Sequence, residues 1–262
     1  MTNAAEPDYG LLDRAGISGN VFYPRPDHVP PPAGALDLTL GVAPGVHLGA
    51  RFYAVSRTDP TILYFHGNGE VASDLDDVAP FYAQIGVSLL VVEFRGYGTS
   101  SGSPSFAALV ADARAVAGWC HAFLNEDRFT AARFVMGRSL GAHPALEIAA
   151  RVPAHFDGLI LESGAGNLRR FASRLGLDAQ MAEDLVAAHE RKISSIALPL
   201  LMIHGERDEL VPLSGAIETY DLISSNEREL VIVANAGHND LLWVGQRQYF
   251  AAIGAFVARH SL

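Results

Sequence analysis

Polar and apolar residues alternate through Leu36-Asp37-Leu38-Thr39-Leu40 and again through Val46–Tyr53, with Gly45 at the turn between them. A period of two sends successive side chains to opposite faces, so this region predicts an antiparallel hairpin with one solvated face. Beyond residue 60 the alternation stops. Residues 62–65, 89–92, 134–136, 159–161, 200–203 and 230–233 are short unbroken apolar runs. Runs of this kind are expected of strands covered on both faces, as in a parallel sheet. Between them lie stretches with helical spacing, at 71–85, 106–124, 140–151, 213–223 and 241–258. Strand alternating with helix predicts a doubly wound, mostly parallel α/β sheet, eight-stranded once the antiparallel N-terminal hairpin is included.

Two segments depart from this pattern. Pro24, Pro26, Pro30, Pro31 and Pro32 interrupt residues 1–33, which read as an irregular N-terminal arm packed along the domain rather than a partner-binding proline segment. The interval between the runs at 159 and 200 exceeds a plain crossover. Helical stretches at 168–175 and 179–193 fill it, so 164–197 reads as a small helical lid or as an extended crossover. No internal repeat or low-complexity segment appears, and residues 1–262 read as one domain.

Composition narrows the partners. The net charge is −10 and no basic block is present, which argues against nucleic acid. Cys120 is the single cysteine, so an internal disulfide is excluded and a reducing compartment fits; beside Trp119 and Phe123 it reads as a packing residue. The start of the chain lacks a basic segment followed by an apolar core, no apolar run is long enough for a bilayer, and no lipidation motif is seen at either end. A cytoplasmic protein without a stable membrane anchor is expected.

The chemistry concentrates after the strands. Gly137-Arg138-Ser139-Leu140-Gly141 follows an apolar run directly and opens a helical one. That context is what a nucleophile elbow requires, because a serine in a strained strand-to-helix turn stands clear of the sheet. Gly98-Thr99-Ser100-Ser101-Gly102 fits the same spacing but is separated from its strand by Arg95-Gly96-Tyr97-Gly98 and from the next helix by Pro104, so it reads as a loop. Ser139 is the candidate nucleophile, with Gly137 and Gly141 allowing strand and helix to approach. A serine nucleophile needs a base, an orienting acid and oxyanion donors. Asp208, in His204-Gly205-Glu206-Arg207-Asp208 after the 200–203 run, is the candidate acid, with Glu206 and Glu209 as neighbours. His238, in Ala236-Gly237-His238-Asn239-Asp240, is the candidate base. His143, one helical turn after Ser139, is its competitor and otherwise a packing residue. His204 reads as structural, and His204, Asp208 and His238 lack the close-spaced ligand pair of a metal site. His66-Gly67-Asn68-Gly69-Glu70 supplies the candidate oxyanion loop, in which the Asn68 N–H would act with that of Leu140; the alternative is a plain strand-to-helix turn. Arg95 would contact a substrate carboxylate or pair with an internal acid, the second being expected. Glu162 would be a reserve acid or a structural partner.

The combination of Phe65-His66-Gly67-Asn68-Gly69, Glu93-Phe94-Arg95-Gly96-Tyr97-Gly98, Gly137-Arg138-Ser139-Leu140-Gly141, His204 to Asp208 and Ala236 to Asp240 resembles the α/β-hydrolase-fold serine hydrolases. It is most similar to the small-lid branch that includes protein depalmitoylases and uncharacterised bacterial esterases. The resemblance covers residue 36 to the end. It implies a Ser139-His238-Asp208 triad, an acyl-enzyme intermediate, a small-molecule acyl ester or thioester as substrate, and no cofactor or metal. His66, Gly67, Gly69 and Arg95 would support the site. The basic, cysteine-bearing N-terminal anchor of membrane depalmitoylases is absent here. A serine peptidase or amidase on the same fold and a non-catalytic small-molecule receptor are the alternatives.

Overall fold

The computed structural model describes residues 6–169, except 15 and 17, and residues 178–261. Eight strands form one sheet: β1 (Ala35–Ala43), β2 (Val46–Tyr53), β3 (Thr61–Phe65), β4 (Ser88–Val92), β5 (Arg133–Arg138), β6 (Gly158–Glu162), β7 (Leu200–Gly205) and β8 (Arg228–Val233). Their order is β1-β2-β4-β3-β5-β6-β7-β8. The β1–β2 and β2–β4 pairings are antiparallel and the others parallel. The order reverses around β3 and β4, so the carboxyl ends of β3, β5, β7 and β8 open on one edge, where ligands bind in open α/β sheets.

The period of two is visible in the core. Leu63, Phe65, Leu90, Val92, Val135 and Leu159 belong to one buried cluster, on the face covered by α4 (Phe106–Glu126), α5 (Ala142–Arg151) and α6 (Ala179–Ser194). Ile62, Tyr64, Leu89, Val91, Phe134 and Ile160 belong to the other, under α3 (Ala79–Gln84) and α9 (Gln246–Arg259). A strand buried on both faces has no polar positions to alternate with, which is why these segments read as continuous apolar runs. The edge strand β8 is the exception, with Ile232 exposed. On the hairpin, Arg51 fills what would be a solvated face of β2; it is buried by bonds to Asp37 and Asp76.

Several expected helices are broken. The stretch at 71–85 is a tight turn, Ala72–Leu75, followed by the short α3. Asp74 accepts the Val71 N–H at 3.0 Å and closes the first turn on itself, and Pro80 in the first turn of α3 cannot continue a preceding helix. The stretch at 241–258 divides at Gly245, a poor helix former, into α8 (Leu241–Val244) and α9; a side chain at 245 would overlap Val233. α7 (Leu213–Leu222) follows the expected bounds. The arm expected to be irregular throughout carries α1 (Gly10–Arg14) and α2 (Ser18–Val21), and its Tyr9, Leu11, Leu12 and Phe22 join the core. Apart from Pro7, ahead of α1, its prolines fall in the second half, at 24, 26, 30, 31 and 32. The helix expected at 168–175 lies largely outside the described residues.

α6 is tied down by charge. Lys192 on α6 donates to Glu147 Oε2 on α5 at 2.7 Å, and both side chains are fully buried. Tyr9 from the arm receives a second Lys192 N–H and pairs with His189 Nδ1 at 2.7 Å. Arm, α5 and α6 are thereby locked together, since a buried charge left without its partner costs about 3–5 kcal/mol.

Candidate active site

β5 ends in a turn that only a small set of residues can make. Ser139 has φ 52°, in the left-handed region that side chains rarely adopt. A side chain at 137 would overlap the Gly141 carbonyl, and one at 141 the Phe65 carbonyl. The two glycines therefore let the turn close and let α5 start directly above β3. Ser139 is left half-buried at the edge of the sheet, at the head of the turn leading into α5.

The loops after β7 and β8 converge on it. Asp208 is buried, and its Oδ1 accepts the N–H groups of Leu210 at 3.0 Å and Val211 at 2.7 Å. Its Oδ2 lies 2.7 Å from His238 Nδ1, and His238 Nε2 lies 2.9 Å from Ser139 Oγ. An ionised carboxylate only accepts, so Nδ1 carries the ring proton and Nε2 offers its lone pair to the serine hydroxyl. His204 sits under the acid, with Nε2 2.8 Å from the Val211 carbonyl and 3.4 Å from Asp208 Oδ2. Burial holds its pKa below the usual histidine range. His204 and His238 thus flank the Asp208 carboxylate, with His238 hydrogen-bonded to it and His204 bonded to the Val211 carbonyl; among the described residues no group of three acidic, histidine or cysteine side chains is arranged to hold a metal ion.

His143 reaches the same cavity. It packs between Phe106 and His189, and burial, helped by Lys192, lowers its pKa to about 4. It is a neutral wall residue.

The loop after β3 closes the other side. Asn68 and Leu140 line the same cavity as Ser139. The Gly67 N–H is taken by Glu70 Oε2 at 2.7 Å. The Asn68 side chain is held through Oδ1 by the Tyr23 N–H at 2.9 Å and the Tyr97 hydroxyl at 2.7 Å, and through Nδ2 by the Val21 carbonyl. Gly69, at φ 77°, makes the turn. His66 lies beneath the loop, fully buried, 3.0 Å from Glu93 and against the rings of Phe94 and Tyr97. Burial opposes its charged form, but Glu93 outweighs burial and raises its pKa.

Arg95 is placed elsewhere. Its guanidinium makes a two-pronged pair with Asp112 of α4, at 2.7 and 2.6 Å, and it is not part of the cavity lining at Ser139. The expected support from Arg95 therefore fastens a loop to a helix. Glu162 is likewise structural: Arg138 takes one oxygen at 3.2 Å and the Tyr249 hydroxyl the other at 2.7 Å, while burial raises its pKa. Residues that sequence reasoning passed over also meet here. Glu70 and Arg138 stand at positions the motifs leave variable, and Val21 and Tyr23 come from an arm whose docking no local pattern announces.

The cavity beside Ser139 encloses about 400 Å³ and includes Val21, Leu140, Ala165, Val211 and Pro212 in its wall. A residue-for-residue comparison places this architecture. A family model described as serine aminopeptidase, S33, matches residues 56–176. Alpha/beta hydrolase domain-containing protein 17C of Xenopus laevis is 31% identical over 229 residues, covering 83% of this chain and 68% of that protein. The chain belongs to the α/β-hydrolase family. Within it, the hydrolase is also 28% identical to protein bem46 of Schizosaccharomyces pombe over 217 residues, 78% of this chain and 69% of that one. An esterase structure from Pyrococcus furiosus superposes on the hydrolase with a TM-score of 0.73 at 20% identity, covering 92% of this chain and all of the other. Among the described residues of the hydrolase, no helix is long and apolar enough to cross a membrane.

Proposed function

We propose that this hydrolase cleaves carboxylic esters or thioesters of small acyl molecules by nucleophilic catalysis from Ser139, with His238 as base and Asp208 as the acid that orients it. The observation that carries the reading is the unbroken relay Asp208–His238–Ser139 at 2.7 and 2.9 Å, ending on a serine held in a strained turn. In the first half-reaction Ser139 Oγ attacks the carbonyl carbon and its proton passes to His238 Nε2. The carbonyl oxygen becomes an oxyanion facing the N–H groups of Asn68 and Leu140. The tetrahedral centre collapses, the bond to the leaving group breaks, and His238 returns the proton to the departing alcohol or thiol. Water then attacks the acyl-enzyme by the same steps and frees the acid. Asp208 stabilises the transient imidazolium throughout.

The ester reading draws support from a largely apolar cavity wall and from a structural neighbour that is itself called an esterase. A peptidase reading is favoured by one observation: Glu209 lines the cavity, where its carboxylate would pair with a substrate amine. The lone buried Cys120 fits work in a reducing, cytoplasmic setting.

The test is labelling of the purified protein with a fluorophosphonate, with Ser139→Ala as control, beside a panel of acyl esters, acyl thioesters and aminoacyl anilides. Labelling lost in the variant and turnover of the esters are expected. A folded protein that does not label rejects the triad, and preference for the anilides transfers the assignment to the peptidase.

A further inference from the structure

Arg138 occupies the first variable position of the elbow motif, just before Ser139, so no pattern assigns it a task. Its side chain is 13% exposed and reaches three separate segments. Nε donates to Glu162 Oε1 at the end of β6, at 3.2 Å. Nη1 donates to Glu70 Oε1 in the loop after β3. Nη2 donates to the main-chain carbonyl of His238 at 3.2 Å and to Asn239 Oδ1 at 3.3 Å. Each partner is itself anchored. Glu70 spends its second oxygen on the Gly67 N–H at 2.7 Å, and Glu162 is held by Tyr249, whose hydroxyl meets that of Tyr82 at 2.8 Å. Burial works against the guanidinium charge, but Glu162 and Glu70 outweigh it, so the group stays charged.

We infer that Arg138 is a positioning residue that fixes the His238 loop and the Asn68 loop at one separation around Ser139. The inference rests on the triad reading above. The physical case is that base, oxyanion donor and nucleophile come from three loops with no covalent constraint among them. Their relative placement within a fraction of an ångström decides the rate. Arg138 is the residue next to Ser139, so its backbone moves with the nucleophile. Its planar fork fixes the directions of its N–H groups, and through them it grips the His238 main chain on one side and Glu70 on the other. Glu70 in turn holds the Gly67 N–H and so fixes the loop that carries Asn68. A lysine would keep the charge but not the fork.

The test uses the full chain with the best ester from the panel. Three changes cut the link: Arg138→Lys, Glu70→Ala, and the charge-balanced pair Arg138→Gln with Glu162→Gln, which leaves no buried carboxylate facing an empty site. Thermal melting and fluorophosphonate titration give the folded, active fraction. Per active site, kcat is expected to fall about 10- to 100-fold, with KM within about twofold of the wild type because the cavity wall is untouched. Arg138→Lys combined with Glu70→Ala should cost no more than the worse single change, since both cut one link. Unchanged kcat per active site in the folded variants overturns the inference, as does a loss that follows only the folded fraction. Failure of the underlying triad is seen separately, as a wild type that neither labels nor turns over esters.

Discussion

Ser139 is held at φ 52°, a conformation that costs a non-glycine residue about 1–3 kcal/mol and persists only where the surroundings impose it. The imposition comes from Gly137 and Gly141, and the return is a hydroxyl 2.9 Å from His238 Nε2. Asp208 shows what one atom contributes. Replacing it by Asn keeps an oxygen for the Leu210 and Val211 N–H groups but turns an amide toward His238 Nδ1, which must then become the acceptor. The ring is left in the wrong tautomer. Asp208→Asn is expected to lower kcat by roughly 10⁴-fold while the melting temperature stays near that of the wild type, measured by ester turnover and calorimetry. Cys120 is the opposite case. It is buried on α4 and burial pushes its thiol up to about 12, so native protein should not react with a thiol reagent at pH 8, whereas urea-unfolded protein should react at once. Rapid modification of the native protein would contradict its placement. Ser139, Asp208 and His238, which the structure brings within hydrogen-bond reach of one another, were legible as residue types after strands, but Arg138, Glu70 and Tyr23 were not. They act through side-chain directions and chain approaches that leave no trace in spacing.

At the scale of elements, the pattern was read most faithfully where burial is complete. Five of the six apolar runs lie within β3 to β7, because a strand buried on both faces has no polar side to confuse the reading; the sixth lies in the edge strand β8, where Ile232 is exposed. Helices were read less well. The break at 76–78 is set by Pro80, and the one at 245 falls on a glycine packed against Val233 of β8, a contact that helical spacing does not display. The close approach of α5 to β3 has a testable consequence. A methyl group at 141 would meet the Phe65 main-chain carbonyl, which cannot rotate away as a side chain can. Gly141→Ala should therefore destabilise the protein by about 3 kcal/mol or more and abolish fluorophosphonate labelling, because the turn must open. A variant that melts and labels like the wild type would falsify the account of the elbow.

For the whole molecule, the contacts among arm, α5 and α6 set a dependence on acid. His143 and His189 are buried neutral, held below the normal range first by burial and then by Lys192; for His143 the value is about 4. In the unfolded chain both titrate near 6.5. Below that pH the unfolded chain binds protons that the folded one refuses, so stability falls as pH falls, by about 1.4 kcal/mol per pH unit for each histidine. For His143 the fall levels off near pH 4, where the folded group also protonates. Melting temperatures measured from pH 7.5 to 5.0 should decline, and His143→Gln should make the decline shallower. Parallel curves would show that the ring titrates normally in the fold.

The alternation of apolar runs and helical stretches determined the sheet, its mostly parallel character and the antiparallel hairpin, because burial on one face or two is written directly into residue spacing. Loop chemistry after the strands singled out Ser139, Asp208 and His238, because an open α/β sheet gathers its strand ends on one edge. Tertiary structure alone decided the rest. The arm packs into the core and clamps Asn68; Arg95 turns to Asp112, away from the cavity; and one guanidinium joins the end of β6 to two loops. These are contacts between residues far apart in the chain, chosen by volume and by the need to pair every buried charge, and neither requirement has a period that a sequence can display.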